Sequence, residues 1–334
     1  METDLVAPSA IESRLDELWE KSTAQNKARA SLFNLIFYTR SGNHLPHVRA
    51  LVSKVIEKFP SRILFILKKE EPSPEIVTRV SVLSSSEEAD FACDLIEIEA
   101  TAKAEVRIPF LLLPHLLPDL PILSFWADTP SPGSPLFDQL EILSERMIFD
   151  SALAKEPVSF ARELLRVYQK CDISDLTWAR LQNWRRLLST TFHSQERLEM
   201  LYDTKEVIIL YNELEQPAHL RADSQAFYLK TWLFCQLGWK KEVVSCKLLA
   251  ERQELLPQGA VLSIDIVTSN GSQFSFGRDL KTPHLVSMRF SSLYLCDIPL
   301  KYFFPSTEMG HSLISEINRG GTSAHLIHIL KTLC

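Results

Sequence analysis

Two tryptophans and three arginines fall within nine positions of the stretch Ser174–Leu188, SDLTWARLQNWRRLL. Trp and Arg offer stiff contact area and directional hydrogen bonds, so this is the chemistry of a binding hot spot, not of bond making. Ser174 and Asp175 carry oxygens suited to the free N–H groups of a first helical turn. Residues 176–188 contain no Gly or Pro, and Leu181, Trp184 and Leu188 recur at helical spacing. The spacing predicts one helix over 174–188, capped by Asp175. Its candidate partner contacts are Asp175, Trp178, Arg180, Trp184 and Arg185. The competing account is a core helix with its tryptophans inward and its arginines solvated.

Other reactive types are sparser. His44/His47 and His325/His328 are each three apart, a spacing that puts two imidazoles on one helical face, but neither pair has a third ligand nearby. No metal site is expected. Asn318–Ser323 (NRGGTS) could form an anion-binding nest, although a helix end at Gly320 or Gly321 followed by a cap at Thr322 or Ser323 accounts for it better. The cysteines, at 93, 171, 235, 246, 296 and 334, form no CxxC pair. Cys235 and Cys246 are the closest thiols and are expected to be buried. GxSxG, HExxH, the phosphate-binding GxxxxGK[ST] loop and GxGxxG are all missing. The residues thus call for no cofactor and no catalytic centre.

Composition narrows the classes further. With 334 residues, 46% hydrophobic and 23% charged, the chain can build two ordinary globular domains or one large one. A formal charge of −6 argues against nucleic-acid binding, which needs a basic face. Nine glycines, well under the average usage of about 7%, leave little for phosphate-cradling loops. The first residues, METDLVAPSA, lack the basic start and apolar run of a signal peptide, so a cytoplasmic protein with reduced thiols is expected.

The elements needed to position these residues emerge from periodicity. Helices are expected at Ile11–Ser22, His47–Phe59, near Ala102–Leu113, at Leu136–Leu143, Phe160–Gln169 and Asp223–Leu237, and around Glu308–Asn318 and Ser323–Thr332. Strands are expected at Ala30–Thr39, Arg62–Lys68, Ile76–Leu83, Asp90–Ala100, Pro121–Ala127, Arg146–Asp150, Glu206–Tyr211, Ala260–Thr268, Gln273–Arg278 and Leu285–Leu293. Ser41-Gly42-Asn43 breaks the chain between the first strand and its helix, giving a βαβ unit. Ser269-Asn270-Gly271 signals a hairpin. The apolar run Ile108–Trp126 is cut by four prolines, His115 and Asp119, so it reads as a buried helix end, a proline-fixed turn and a central strand, with no membrane span. The fold class is α/β or α+β in two domains, each a mixed sheet packed with helices. Lys170–Ser174 is the linker, dividing residues 1–173 from 174–334.

A family resemblance rests on short motifs in order. Asp175-Leu176-x-Trp178-x-Arg180-Leu181-x-x-Trp184 resembles the signature of the glucose-6-phosphate dehydrogenase assembly proteins, the OpcA family. Arg29 with Asn34-Leu35, Pro60-Ser61-Arg62, Leu117-Pro118-Asp119-Leu120-Pro121 followed by Trp126, Asp150-Ser151 and Leu237-Gly238-Trp239 are similar to further family motifs. The resemblance implies a non-catalytic assembly factor and allosteric activator. Such a protein binds glucose-6-phosphate dehydrogenase, favours its active oligomer and supports NADPH production in the oxidative pentose phosphate pathway. In photosynthetic members activation responds to thiol redox state, but no cysteine here matches a regulatory pair. The alternative is a sugar-phosphate-binding enzyme or sensor using Arg62, Arg319 and Gly320-Gly321 as an anion site.

Overall fold

The computed structural model describes residues 4–23, 27–40, 42, 44–70, 75–86, 90–214, 220–240, 242–292, 298–304 and 310–334. Ser41, Asn43, Cys296, Leu293 and the expected helix start at Glu308 lie outside them. The chain divides into two compact units that interleave along the sequence. The first comprises Met1–Asp150, Arg162–Asp175 and Ser312–Thr322, the second Ser151–Ala161, Leu176–His311 and Ser323–Cys334.

The first unit is built on a nine-stranded sheet of β1 (Asp4–Val6), β2 (Ala28–Arg29), β3 (Asn34–Arg40), β4 (Arg62–Lys69), β5 (Ile76–Leu83), β6 (Phe91–Thr101), β7 (Ile122–Ala127), β8 (Arg146–Phe149) and β9 (Asp172–Asp175). Its order is β1-β5-β6-β4-β3-β7-β8-β9, with β2 beside β6. From β6 to β9 all neighbours are parallel, whereas β5 pairs antiparallel with both β6 and β1. Central strands of a parallel sheet are covered on both faces and need continuous apolar runs. NLIFYT of β3 and RILFIL of β4 are buried at every position accordingly. Stacked Tyr38 and Trp126 (centroids 3.7 Å apart) and the Phe37–Phe125 edge contact (5.5 Å) fill the core.

Helices α1 (Ile11–Thr23), α2 (Leu45–Ile56), α3 (Ile108–Leu112), α4 (Pro135–Leu143) and α5 (Pro157–Val167) connect these strands. Of the expected linker Lys170–Ser174, residues 172–174 belong instead to the edge strand β9. It is hard to read because Ile173 is its single apolar residue and pairing to β8 supplies the rest.

The family-like motifs of this unit hold its lower turns. Arg62 is only 3% exposed. It donates from Nε and Nη2 to Asp94 Oδ2 (2.9 and 2.7 Å), and from Nη1 to Glu12 Oε1 and the His115 carbonyl (both 3.1 Å). Trp19 Nε1 donates to the other Asp94 oxygen (2.5 Å). Asn34 donates to the Leu117 and Leu120 carbonyls (3.0 and 3.4 Å) and accepts from Leu117 N (2.8 Å), closing the LPDLP turn in which Asp119 takes a φ of +61°.

The second unit has a six-stranded sheet of β10 (Thr204–Asn212), β11 (Ser245–Glu251), β12 (Val261–Thr268), β13 (Gln273–Arg278), β14 (Leu285–Ser291) and β15 (Leu300–Phe303), ordered β11-β10-β12-β13-β14-β15. Only β10 and β11 pair in parallel. β12 and β13 alternate buried and half-buried residues, as a sheet with one packed face does. The expected hairpin forms, with Gly271 at φ +84° and Asn270 Oδ1 accepting from Ser272 N (3.0 Å). Its helices are α6 (Leu176–Arg180), α7 (Gln182–Thr191), α8 (Gln195–Tyr202), α9 (Ser224–Leu237) and α11 (Ala324–Leu333), while α10 (His311–Asn318) lies almost wholly in the first unit. Helix α9 ends, as expected, at a left-handed Gly238 (φ +61°).

Replacing Arg62 by Met is expected to leave Asp94 buried without its cation and to cost about 3–5 kcal/mol of stability. Urea denaturation checks this; a loss under about 1 kcal/mol would remove the pair from the framework.

Candidate partner-binding site

The stretch expected as one helix is three elements: Ser174 and Asp175 end β9, and the helix breaks at Leu181 into α6 and α7. There Leu181 N bonds to Trp178 O (3.3 Å), a tighter three-residue turn that sets Leu181 fully inside. Asp175, buried at the last position of β9, immediately precedes α6.

Both tryptophans point inward. Trp178 is 2% exposed and donates from Nε1 to Ser323 Oγ (3.2 Å). The Arg185 guanidinium lies 3.3 Å over its ring and donates to its carbonyl. Trp184 is 1% exposed and meets Phe304 edge-on at 5.1 Å, with Arg278 5.5 Å from its ring centroid. Burial pulls the Arg278 guanidinium down to about 10, yet it still donates to Val261 O and Pro283 O (both 2.8 Å). The Trp184 Nε1–H is buried without a partner. Arg180 and Arg185 are half-buried, and Arg186 is exposed. The cluster is therefore a packed frame with two half-buried guanidinium groups; sequence spacing alone cannot tell such a frame from an open hot spot.

The first unit contains a second place where ligands are expected. In chain order its parallel strands lie 3-2-1-4-5-6, the doubly wound arrangement whose ligand crevice opens at the carboxyl ends of the strands where the order reverses, here between β3 and β7. A dinucleotide needs free backbone N–H groups on a glycine-rich turn there. The described residues do not fit one. Arg40, the last residue of β3, pairs with Asp128 just beyond β7. Lys68 of β4 pairs with the buried Glu105, which also accepts from Ser134 Oγ (2.5 Å). Burial first, then Glu105 and Asp128, pushes the Tyr38 hydroxyl up, keeping it neutral. The connection from Arg40 to Leu45 has one glycine.

Among the described residues no group of three His, Cys, Asp or Glu could hold a metal, and no helix is long and apolar enough to cross a membrane. Arg62 and Arg319 each have a carboxylate of their own, Asp94 and Glu316, rather than forming one anion site. The nest is a cap: Thr322 donates to Asp172 Oδ1 from N (3.1 Å) and Oγ1 (2.7 Å), and Ser323 caps α11. The five described cysteines are free thiols; Cys235 and Cys246 are half-buried rather than buried.

A family model for the N-terminal domain of the glucose-6-phosphate dehydrogenase subunit matches residues 52–166, and one for the C-terminal domain of the same subunit matches 171–298. A Synechococcus elongatus protein named "Putative OxPP cycle protein OpcA" is 29% identical over 204 residues, 59% of this chain and 44% of that protein. A Nostoc punctiforme protein of the same name is 27% identical over 198 residues, 57% of this chain and 40% of that one. The chain thus spans less than half the length of these relatives. Among solved structures, a biliverdin reductase from Synechocystis aligns over 90% of this chain and 96% of its own at 9% identity, with a TM-score of 0.44, too low to carry an argument.

Two outcomes test the site's geometry. Trp178→Phe, which loses the bond to Ser323, is expected to cost about 1 kcal/mol more than Trp184→Phe, whose N–H bonds nothing. Equal losses in chemical denaturation would refute the assignment. Burial pushes the Cys171 and Cys246 thiols up to about 11. At pH 8 both are expected to alkylate at least about tenfold more slowly than the exposed Cys334, with rates still rising above pH 10. Mass spectrometry of iodoacetamide-labelled peptides reads this, and equal labelling at pH 8 would contradict it.

Proposed function

The chain belongs to the family of glucose-6-phosphate dehydrogenase subunits that includes the OpcA proteins, and from that membership we propose that it is a non-catalytic subunit that binds glucose-6-phosphate dehydrogenase and favours its active assembly. The observation that carries this reading is the pair of family matches in series, covering 52–166 and then 171–298. The role it gives the chain is support of NADPH production in the oxidative pentose phosphate pathway. Free thiols support a reducing compartment, the cytoplasm. The proposal includes an N-terminal α/β domain, residues 1–173, and a C-terminal α+β domain, residues 174–334.

The mechanism is linkage. A subunit that binds the active, assembled dehydrogenase more tightly than the inactive form shifts the population by that difference in affinity and nothing else. Couplings of ~1–3 kcal/mol give roughly 5- to 150-fold changes. The chain needs no reactive group for this, in keeping with the ion-paired ends of β3 and β4. Arg180 and Arg185 are proposed as contacts, with Asp175, Trp178 and Trp184 holding them in place.

Mixing the purified chain with its native dehydrogenase is expected to raise activity at sub-saturating substrate and to increase oligomer mass in the same samples. Arg180→Ala with Arg185→Ala is expected to weaken binding about tenfold while the protein stays folded. A dehydrogenase whose kinetics and mass ignore the chain, or turnover of a sugar phosphate by the chain alone, would overturn the reading.

A further inference from the structure

Much of the run Ile108–Trp126 is buried, as expected, but one stripe beginning just ahead of it is not. Val106, Phe110 and Leu113 are spaced four and three apart, on one face of a stretch that is helical or 3-10 from Glu105 to His115. They are 53%, 75% and 44% exposed. Helix α4 packs beside α3, and Ile142 at its C-terminal end is 71% exposed. With a buried aromatic side chain worth ~150–250 Å2, these four expose on the order of 400 Å2 of apolar surface. A standard interface takes about 800 Å2 from each partner, a little over half of it apolar, so the stripe is the right size for the apolar part of one side.

The stripe is also held rigid. At its start the buried Glu105 is gripped by Lys68 and Ser134. At its end Arg62 donates to the His115 carbonyl, and Asn34 fixes the backbone at Leu117 and Leu120. Behind Ile142, burial raises the Glu141 carboxyl, but hydrogen bonds from Arg166 and Lys170 outweigh it and hold the group below the usual carboxylate range, tying α4 down. Apolar groups held in place lose little freedom on binding, which favours affinity. Beside the stripe Lys103 is exposed, so the complementary surface is an apolar groove with an acidic side chain on its rim.

We propose that Val106, Phe110, Leu113 and Ile142 form the apolar docking ridge for the dehydrogenase, seated in an acid-rimmed groove of that enzyme. This rests on the assembly role proposed above, and the ridge lies inside the segment matched by the N-terminal family model, residues 52–166.

The test uses the full chain, the double variant Phe110→Ser/Ile142→Ser, and the control Leu255→Ser, which alters an exposed leucine of the second unit. Binding to the dehydrogenase is measured by titration calorimetry, self-association by sedimentation of the free chains, and folding by urea midpoint. Expected are unchanged midpoints, a monomeric free chain, and binding weakened about tenfold or more by the double variant alone. If the wild type binds and the folded double variant binds equally well, the ridge is refuted and the assembly role survives. If the free chain dimerises and only the double variant is monomeric, with binding intact, the occupant is a second copy and the proposal falls. If the wild type does not bind, both fall. Should the double variant unfold, Val106→Ser with Leu113→Ser takes its place under the same criteria.

Discussion

The N–H groups of a guanidinium at 3% exposure must find acceptors inside the protein, and Arg62 meets that constraint by drawing four segments together. Its hydrogen bonds reach Glu12 on α1, Asp94 on β6 and the carbonyl of His115 ahead of β7, while Arg62 itself begins β4. Arg62 and Asp94 are both buried, so losing either would leave the other uncompensated. The effect passes outward. The turn after His115 is fixed by Asn34, and the stretch that ends at His115 is the one that carries Phe110 and Leu113 to the surface.

The same unit carries a sheet order associated with nucleotides, with the cations at its strand ends already paired. What makes such a crevice a phosphate site is unspent backbone N–H groups and room for an anion. Here the cations at the strand ends, Arg40 and Lys68, already have carboxylates in Asp128 and Glu105. Paired charges of this kind stiffen a framework. On that framework sit the exposed apolar side chains Val106, Phe110 and Leu113.

The fold was legible where one period dominated. The continuous apolar runs of β3 and β4, the alternation in β12 and β13, the Asn270-Gly271 turn and the Gly238 stop all state their structure locally. Elements stabilised from outside themselves were not. β9 is a strand through its pairing with β8, and β11 is a mostly exposed edge that pairs with β10. The break at Leu181 is invisible because nothing in ARLQN forbids a continuous helix; the tertiary demand to bury both Trp178 and Trp184 accompanies it.

The candidate site was legible in part for a related reason. Trp and Arg clusters serve packed frames and binding surfaces alike, and only burial separates the two. Phe110 was hidden by its neighbours: within IPFLLLPHLLPDLP it looks like one more core residue, and only its place at 106, 110 and 113 on a helix with a buried opposite face turns it outward.

The proposed subunit acts through a difference in affinity between two forms of one enzyme. The most direct test is the dissociation constant of the chain for the dehydrogenase held in its assembled form and in its dissociated form, measured under identical salt and pH. Reciprocity requires the ratio of the two constants to equal the factor by which the saturating chain shifts the assembly equilibrium. A ratio of roughly 5 to 150 that matches this shift is predicted; equal affinity for the two forms would contradict it.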